Sequence, residues 1–405
     1  MLIGHLNMEY MTLDAGWSES YIRTLCLYAK QKNVKIIVWT WASCVRENPE
    51  DWIKKMKDYG VSGAKIDFFE RNDQIAMRWG RDFAQRLANH QMVALFHGCP
   101  VPAGINRTFP NILNFEAVRG AECNFWEKTL TPEYHTQFPF IRSLVGPEDY
   151  TPGSMRNVTQ EEFQPIDKDD TPPMSMGTRA HELSMYVIYD QWIGYLCDSP
   201  TEYNKYPDIL SFLSTVPVVW DKTVPLDAKL GDYILVAKQK GKDWYVGGMT
   251  DWTARTLEVD FGFLEAGVSY LADIFKDTSA SGEQPKQYVC ERMEITKDTK
   301  LSIPMAKGGG FAIRLLHASG SGITEVKQEN PLIVYVEKET DTLHIKTEKR
   351  IEDVRINDIT GQTLFARKYN DDVYSERINL SDFNKGIYVV SVKTAPALAS
   401  TTFIY

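Results

Sequence analysis

The sequence predicts an α/β protein joined to all-β modules: a (β/α)8 barrel, incomplete at its N-terminus, followed by two β-sandwich domains. Three observations lead there. Through the first hundred residues short apolar runs alternate with amphipathic ones, and strands separated by helices pair in parallel. From about residue 223 to 317 the texture changes to short alternating runs with turn signals, such as YILVAKQKGKDWYVGGMTDW and KGGGFAIRLL, the pattern of an antiparallel sandwich. All ten tryptophans lie at or before Trp252, and beyond the linker HASGSGITEVKQEN comes a module without Trp or Cys. The expected boundaries are 1–222 for the barrel, 223–317 for the first sandwich, 318–330 for the linker and 331–405 for the last module.

Taken in order, the strand candidates are EYMTLDAGW, VKIIVWTW, GAKIDFF and MVALFHG. The helix candidates between them are SYIRTLCLYAKQKN, PEDWIKKMKDYG and DQIAMRWGRDFAQRLANH. Each strand ends in polar or small residues: Asp14 with Trp17, Trp41 with Ser43, Asp67, and His97 with Gly98. In a barrel of this kind the site gathers at the carboxyl ends of the strands, so these side chains are expected to converge. A complete barrel takes about 250 residues. The stretch before residue 223 is shorter and opens on a strand, so the first strand or two are expected to be absent.

Composition narrows the partners. A chain of 405 residues with 43% hydrophobic residues can bury more than one core. A net charge of −9 with no long basic block excludes nucleic acid and anionic membrane and leaves a neutral or small substrate. The six cysteines show no metal-ligand spacing. No apolar run reaches the ~18 residues of a membrane-spanning helix, and MLIGHLNMEY lacks the regions of a signal peptide.

The chemistry concentrates in two stretches. In GAKIDFFERND, Lys65 and Asp67 project to the same side of a core strand. Either they form a structural ion pair in the barrel wall, or the ammonium holds Asp67 ionised as a nucleophile. In NILNFEAVRGAECNFWEK, Glu116 and Glu122 flank Arg119 amid apolar residues, surroundings that raise a carboxyl pKa toward general-acid use unless both are ordinary surface acids. Trp17, Trp39 and Trp41 either offer an apolar face to a bound ligand or belong to the core. His97 either contacts substrate or satisfies a backbone carbonyl. His135 and Glu133 in PEYHTQFP are weaker candidates.

GAKIDFFERNDQ, LFHGCPVPAGINRTFPNILNFEAVRGAECNFW and GPEDYTPG together resemble glycoside hydrolase family 97, over roughly residues 1 to 317. The resemblance implies a calcium-dependent enzyme acting on α-glucosides or α-galactosides, with an N-terminal sandwich that this chain would lack. Asp67 matches the nucleophile of retaining members, Glu122 the general acid/base, and Glu116 a calcium ligand whose partners in the missing domain would be absent. Inverting members place a glutamate directly after the histidine that is His97 here, where this chain has Gly98. Asp14 resembles a further substrate-binding acid, and Lys65, His97 and Trp41 complete the expected sugar contacts.

The implied activity is exo-acting hydrolysis of terminal α-galactosides by double displacement, which needs two carboxyls about 5 Å apart. An α-glucosidase of the same family and a catalytically dead glycan-binding fragment are the alternatives. The last module, with DITGQ and GIYVV, resembles the C-terminal sorting domain of the type IX secretion route, or else is an accessory immunoglobulin-like sandwich. It implies a protein made for export to the cell surface, periplasm or medium.

Overall fold

The computed structural model describes residues 8–166, 173–317, 333–337, 340–358, 362–384, 387–394 and 398–404. The chain separates into two compact units, 1–318 and 319–405. The expected linker 318–330 and most of the DITGQ turn lie outside the described residues.

The first unit begins with β1 (Tyr10–Leu13), α1 (Glu19–Gln31), β2 (Lys35–Trp41), α2 (Ala42–Glu47), α3 (Pro49–Tyr59), β3 (Gly63–Asp67), α4 (Gln74–Asn89), β4 (Val93–Phe96), α5 (Ile105–Thr108) and β5 (Ile112–Phe115). The five strands form one sheet in the order β1-β2-β3-β4-β5, and every pair is parallel. Strand order that follows chain order is the wall of a barrel, not the doubly wound arrangement in which the order reverses. Alternation does the sorting. Ile36 and Val38, Ala64 and Ile66, and Ala94 and Phe96 face the helices and pack with Ile22, Ile53, Met56, Phe83 and Leu87. Burial of each large side chain is worth about 1.5–3 kcal/mol. Their neighbours Trp39, Trp41, Lys65 and Asp67 therefore face the other way, into the concave side of the arc.

Local signals fix the helices. Ser18 caps α1 by accepting from the Ser20 amide, and Asp73 caps α4 by accepting from Ile75 and Ala76. One feature departs from the sequence reading. β5 is a fifth strand not singled out above, and the buried Asn114 within it makes tertiary bonds, accepting from the Trp192 amide at 3.0 Å and donating to the Ile193 carbonyl at 2.9 Å. Among the described residues no strand pairs with the outer edge of β1, while beyond β5 Glu148 forms a single parallel bridge to Phe115, so the sheet is an arc and not a closed ring of eight.

The chain continues through α6 (Pro132–Ile141), a two-residue parallel pair, β6 (Asn157–Val158) with β7 (Ser175–Met176), and α7 (Arg179–Ile188), all of whose residues are buried. Two short helices follow, α8 (Pro200–Tyr203) and α9 (Pro207–Leu213). Next come β8 (Lys222–Lys229), β9 (Tyr233–Lys240), β10 (Asp243–Thr250), β11 (Arg255–Asp260), β12 (Tyr270–Lys276), β13 (Val289–Ile295), β14 (Lys300–Met305) and β15 (Gly310–His317). They form a six-stranded antiparallel sheet, β13-β12-β15-β10-β9-β8, and the pair β11-β14, around a core that includes Trp244, Phe261, Phe311 and Ile313. α7 lies on this sheet at Gly247, where a Cβ would come within 2.9 Å of Ile188 Cγ1 and 3.0 Å of the Ser184 carbonyl.

The second unit is a five-stranded sheet of β16 (Ile333–Glu337), β17 (Thr342–Asp358), β18 (Thr363–Asn379), β19 (Ile387–Thr394) and β20 (Leu398–Ile404). Its core is aliphatic, with Leu343, Ile345, Val354, Ile356, Val390 and Val392 fully buried. Irregular pairing between Lys346 and Ile351 bends the long β17–β18 ribbon.

Candidate active site

The carboxyl ends of the five parallel strands carry Asp14 after β1, Trp41 on β2, Asp67 on β3, His97 after β4 and Glu116 after β5. Glu122 follows on the 3-10 turn Ala121–Phe125. All of these candidates lie on one rim.

The pairing within the rim corrects one expectation. Lys65 Nζ does not hold Asp67; it donates to Asp14 Oδ2 at 2.7 Å. Although burial by itself would destabilise both charges, each partner's charge outweighs it, so Asp14 is lowered and Lys65 raised from their ordinary pKa values. Asp67 instead accepts the Trp39 indole N–H on Oδ2 at 2.9 Å and the Phe68 amide on Oδ1 at 2.6 Å.

His97 is buried, and its Nε2 lies 2.6 Å from Asp149 Oδ2 while its Nδ1 lies 3.5 Å from Glu116 Oε1. Burial alone would lower the pKa of this imidazole, but the bonds to the two carboxylates push it up to about 10. These contacts favour the imidazolium, with Nε2 hydrogen-bonded to Asp149 and Nδ1 facing the Glu116 carboxylate as an ion pair. Glu116 also accepts the Gly98 amide on Oε2 at 2.8 Å. Burial acts to raise the Glu116 pKa, and the His97 bond and charge outweigh it and lower it. Glu122 differs. It is open to solvent on one side, no hydrogen-bond donor reaches its carboxyl among the described residues, and its pKa is raised. The causes are the surrounding protein first and the Glu116 charge next, with Asp67 adding to them and Lys65 and His97 opposing.

Gly98 has φ +47, and a Cβ there would lie 3.0 Å from Asp67 Oδ1 and 2.9 Å from the Phe68 amide nitrogen. A side chain at position 98 and the carboxylate of Asp67 compete for one volume.

Other expectations fall elsewhere. Trp17 packs against the core and donates its N–H to the Trp39 carbonyl at 2.7 Å. Trp41 is 44% exposed and stacks on Phe68 at 4.5 Å. Arg119 turns to Glu127, 2.7 Å away. His135 is not at the rim. It is fully buried in a neutral chain in which Tyr150 donates to His135, His135 to His181, and His181 to the Gly309 carbonyl. Burial drives the pKa of His135 well down and that of His181 to about 4. Asp149 was missed, though GPEDYTPG contains it; it follows Glu148, whose bridge to Phe115 places it at the next rim position.

Among the described residues no three His, Cys, Asp or Glu side chains form a group fit for a metal ion. Calcium takes about six to eight oxygens. Glu116 alone, engaged with His97 and Gly98, does not supply such a cage.

Residues 5–118 match the family model described as Glycoside hydrolase 97, and residues 219–316 match Glycosyl-hydrolase 97 C-terminal, oligomerisation, together more than half of the chain. The chain belongs to glycoside hydrolase family 97. It is 39% identical to a protein of Bacteroides thetaiotaomicron named retaining alpha-galactosidase, covering 76% of this chain and 48% of that protein. A probable retaining alpha-galactosidase of Streptomyces bingchenggensis is 29% identical, with 76% and 47% covered. The chain thus spans about half the length of the curated relatives it matches. A family 97 enzyme from Pseudoalteromonas sp. strain K8, solved with acarbose, superposes with TM-score 0.69 at 25% identity, covering 78% of this chain and 55% of that one. A beta-arabinopyranosidase at 22% identity shares the fold with TM-score 0.67, with 77% and 51% covered. Residues 339–404 match the Secretion system C-terminal sorting domain.

Proposed function

We propose that this family 97 chain carries the catalytic part of an exo-acting retaining α-galactosidase. The observation behind the reading is the unequal treatment of two carboxylates on one rim. Asp67 receives two N–H donors, whereas Glu122 receives none and is kept protonated more easily by its surroundings and the Glu116 charge. Environments that push two carboxyls apart assign acid and nucleophile.

In the first step Asp67 attacks the anomeric carbon as the glycosidic C–O bond breaks and Glu122 gives its proton to the departing oxygen. In the second, water gives a proton to Glu122 and attacks the same carbon, releasing Asp67 and a sugar of retained α configuration. Asp14 with Lys65 present charged groups for sugar hydroxyls and Trp41 offers an apolar face, whereas His97, buried with its ring nitrogens toward Asp149 and Glu116, acts through those two carboxylates and does not touch the sugar. Calcium takes part in no step above, since Glu116 alone does not supply its ligands among the described residues.

Residues 1–222 are read as the catalytic arc of a (β/α)8 barrel, 223–317 as its C-terminal sandwich, 318–330 as a linker and 331–405 as a sorting domain that delivers the protein to the cell surface or the medium. No described helix is long and apolar enough to cross a membrane. The substrate is an oligosaccharide or simple glycoside. A second reading, α-glucosidase, is favoured by the acarbose bound to the Pseudoalteromonas relative.

Hydrolysis of nitrophenyl α-galactoside against α-glucoside, with the first-formed anomer followed by NMR, tests both. The expected result is preference for the galactoside and initial release of α-galactose. Initial β-galactose would refute retention, and saccharide binding without turnover of either substrate would favour the dead glycan-binding fragment.

A further inference from the structure

The two N–H donors on Asp67 have an origin in the sheet register. β2 and β3 pair in parallel with Trp39 opposite Lys65 and Trp41 opposite Asp67. The Trp39 indole reaches diagonally to Asp67 Oδ2 at 2.9 Å. The ring is flanked by Trp41 and Phe68 in T-shaped contacts at 5.4 and 6.3 Å, and the Trp17 N–H holds the Trp39 backbone carbonyl at 2.7 Å. Phe68 has φ 56, a left-handed conformation costly for an aromatic residue, and in it the Phe68 amide turns back to Asp67 Oδ1. Lys65, meanwhile, is committed to Asp14.

We infer that Trp39 is the positioning residue for Asp67, fixing the carboxylate for attack through a neutral N–H. This rests on the proposal that Asp67 is the nucleophile. The chemistry favours such a donor. As the glycosyl ester forms, the carboxylate loses its charge, so an ammonium bonded to it would stabilise the ground state more than the transition state and raise the barrier. An indole N–H orients the oxygen yet loses little when the charge disappears, and it can remain on the ester carbonyl oxygen afterwards.

The test is a double-mutant cycle on the whole chain with nitrophenyl α-galactoside as probe and azide as external nucleophile. Trp39→Phe keeps the ring and removes the donor. It should lower kcat by roughly 10- to 100-fold with little change in KM, the size expected when a reacting group loses its alignment. Trp39→His, which retains an N–H, should recover part of that loss. In Asp67→Gly, azide takes the nucleophile's place, attacks the anomeric carbon as nitrophenolate leaves, and gives the β-galactosyl azide. In that background Trp39→Phe should change the azide-rescued rate by less than about twofold, because a residue that acts only through Asp67 has nothing left to act on. Equal fold losses in the two backgrounds, or a loss confined to KM, would overturn the inference while leaving Asp67 as nucleophile. Full activity of Asp67→Gly without azide, or a wild-type chain that turns over no glycoside, would remove the nucleophile reading and this inference with it.

Discussion

Asp273 and Glu122 are both carboxylates with charged neighbours, and the molecule treats them in opposite ways. Asp273, buried on β12 of the antiparallel sheet, lies 2.6 Å from Arg292 on β13 and 2.6 Å from Arg314 on β15. Burial opposes its charge, yet the bonds from both guanidinium groups outweigh it and lower the pKa. Glu122, on the rim of the parallel arc, has no ion-pair partner among the described residues, and its pKa is raised first by the surrounding protein and then by the Glu116 charge. The difference teaches how to separate structural from chemical acids here. At Asp273 the two neighbouring strands each supply a guanidinium, whereas at the rim the strands end and Glu122 meets no such cation.

The largest expected effect comes from breaking the rim side of the comparison. Glu122→Gln should cost about 10²–10⁴-fold on glycosides with poor leaving groups and much less on activated aryl glycosides, because the acid matters where the departing oxygen needs a proton. Steady-state kinetics on both kinds of substrate check this, and equal losses would count against the acid role. On the sandwich side, Asp273→Ala leaves the mostly buried Arg314 without its carboxylate and should destabilise by about 3–5 kcal/mol, read as a fall in Tm, with kcat of the folded protein unchanged.

Smaller effects sharpen the electrostatics. Glu116→Gln removes the largest charge effect that holds the Glu122 proton, so the Glu122 pKa should fall and the basic limb of kcat/KM should move to lower pH. An unmoved or upward-moving limb would refute that coupling. A further effect is on stability against pH. His97 titrates at about 10 in the folded chain against 6.5 ordinarily, so the folded state holds an extra proton between those values. The stabilisation it gives is complete below pH 6.5 and is lost as pH rises toward 10. His97→Gln should flatten the decline of Tm across that window, as measured by thermal melts.

Much of this was legible before any coordinates. The alternation that put Ile66 in the core and Asp67 on the concave side is a consequence of period two, and the strand ends were marked by the residues that interrupt each apolar run. The nature of the partners was not. Lys65 and Asp67 lie two residues apart on one strand, about 6.6 Å along its axis, so their shared direction does not by itself make them a pair. A partner one or two strands away, such as Asp14 for Lys65 or Trp39 for Asp67, leaves no mark at a fixed spacing.

The sequence by itself determined the parallel arc, the antiparallel modules after it, and the set of residues at the strand ends, because these follow from periodicity and from short motifs that each lie within one stretch of chain. Only the tertiary structure decided which acid is ion-paired, which is held by N–H donors and which is left to keep its proton. It also brought Asp149 to His97, across 52 residues of sequence. The reason is physical: a side chain's direction is set by its own backbone, but its hydrogen-bond partners and pKa are set by whatever other strands bring within a few ångströms.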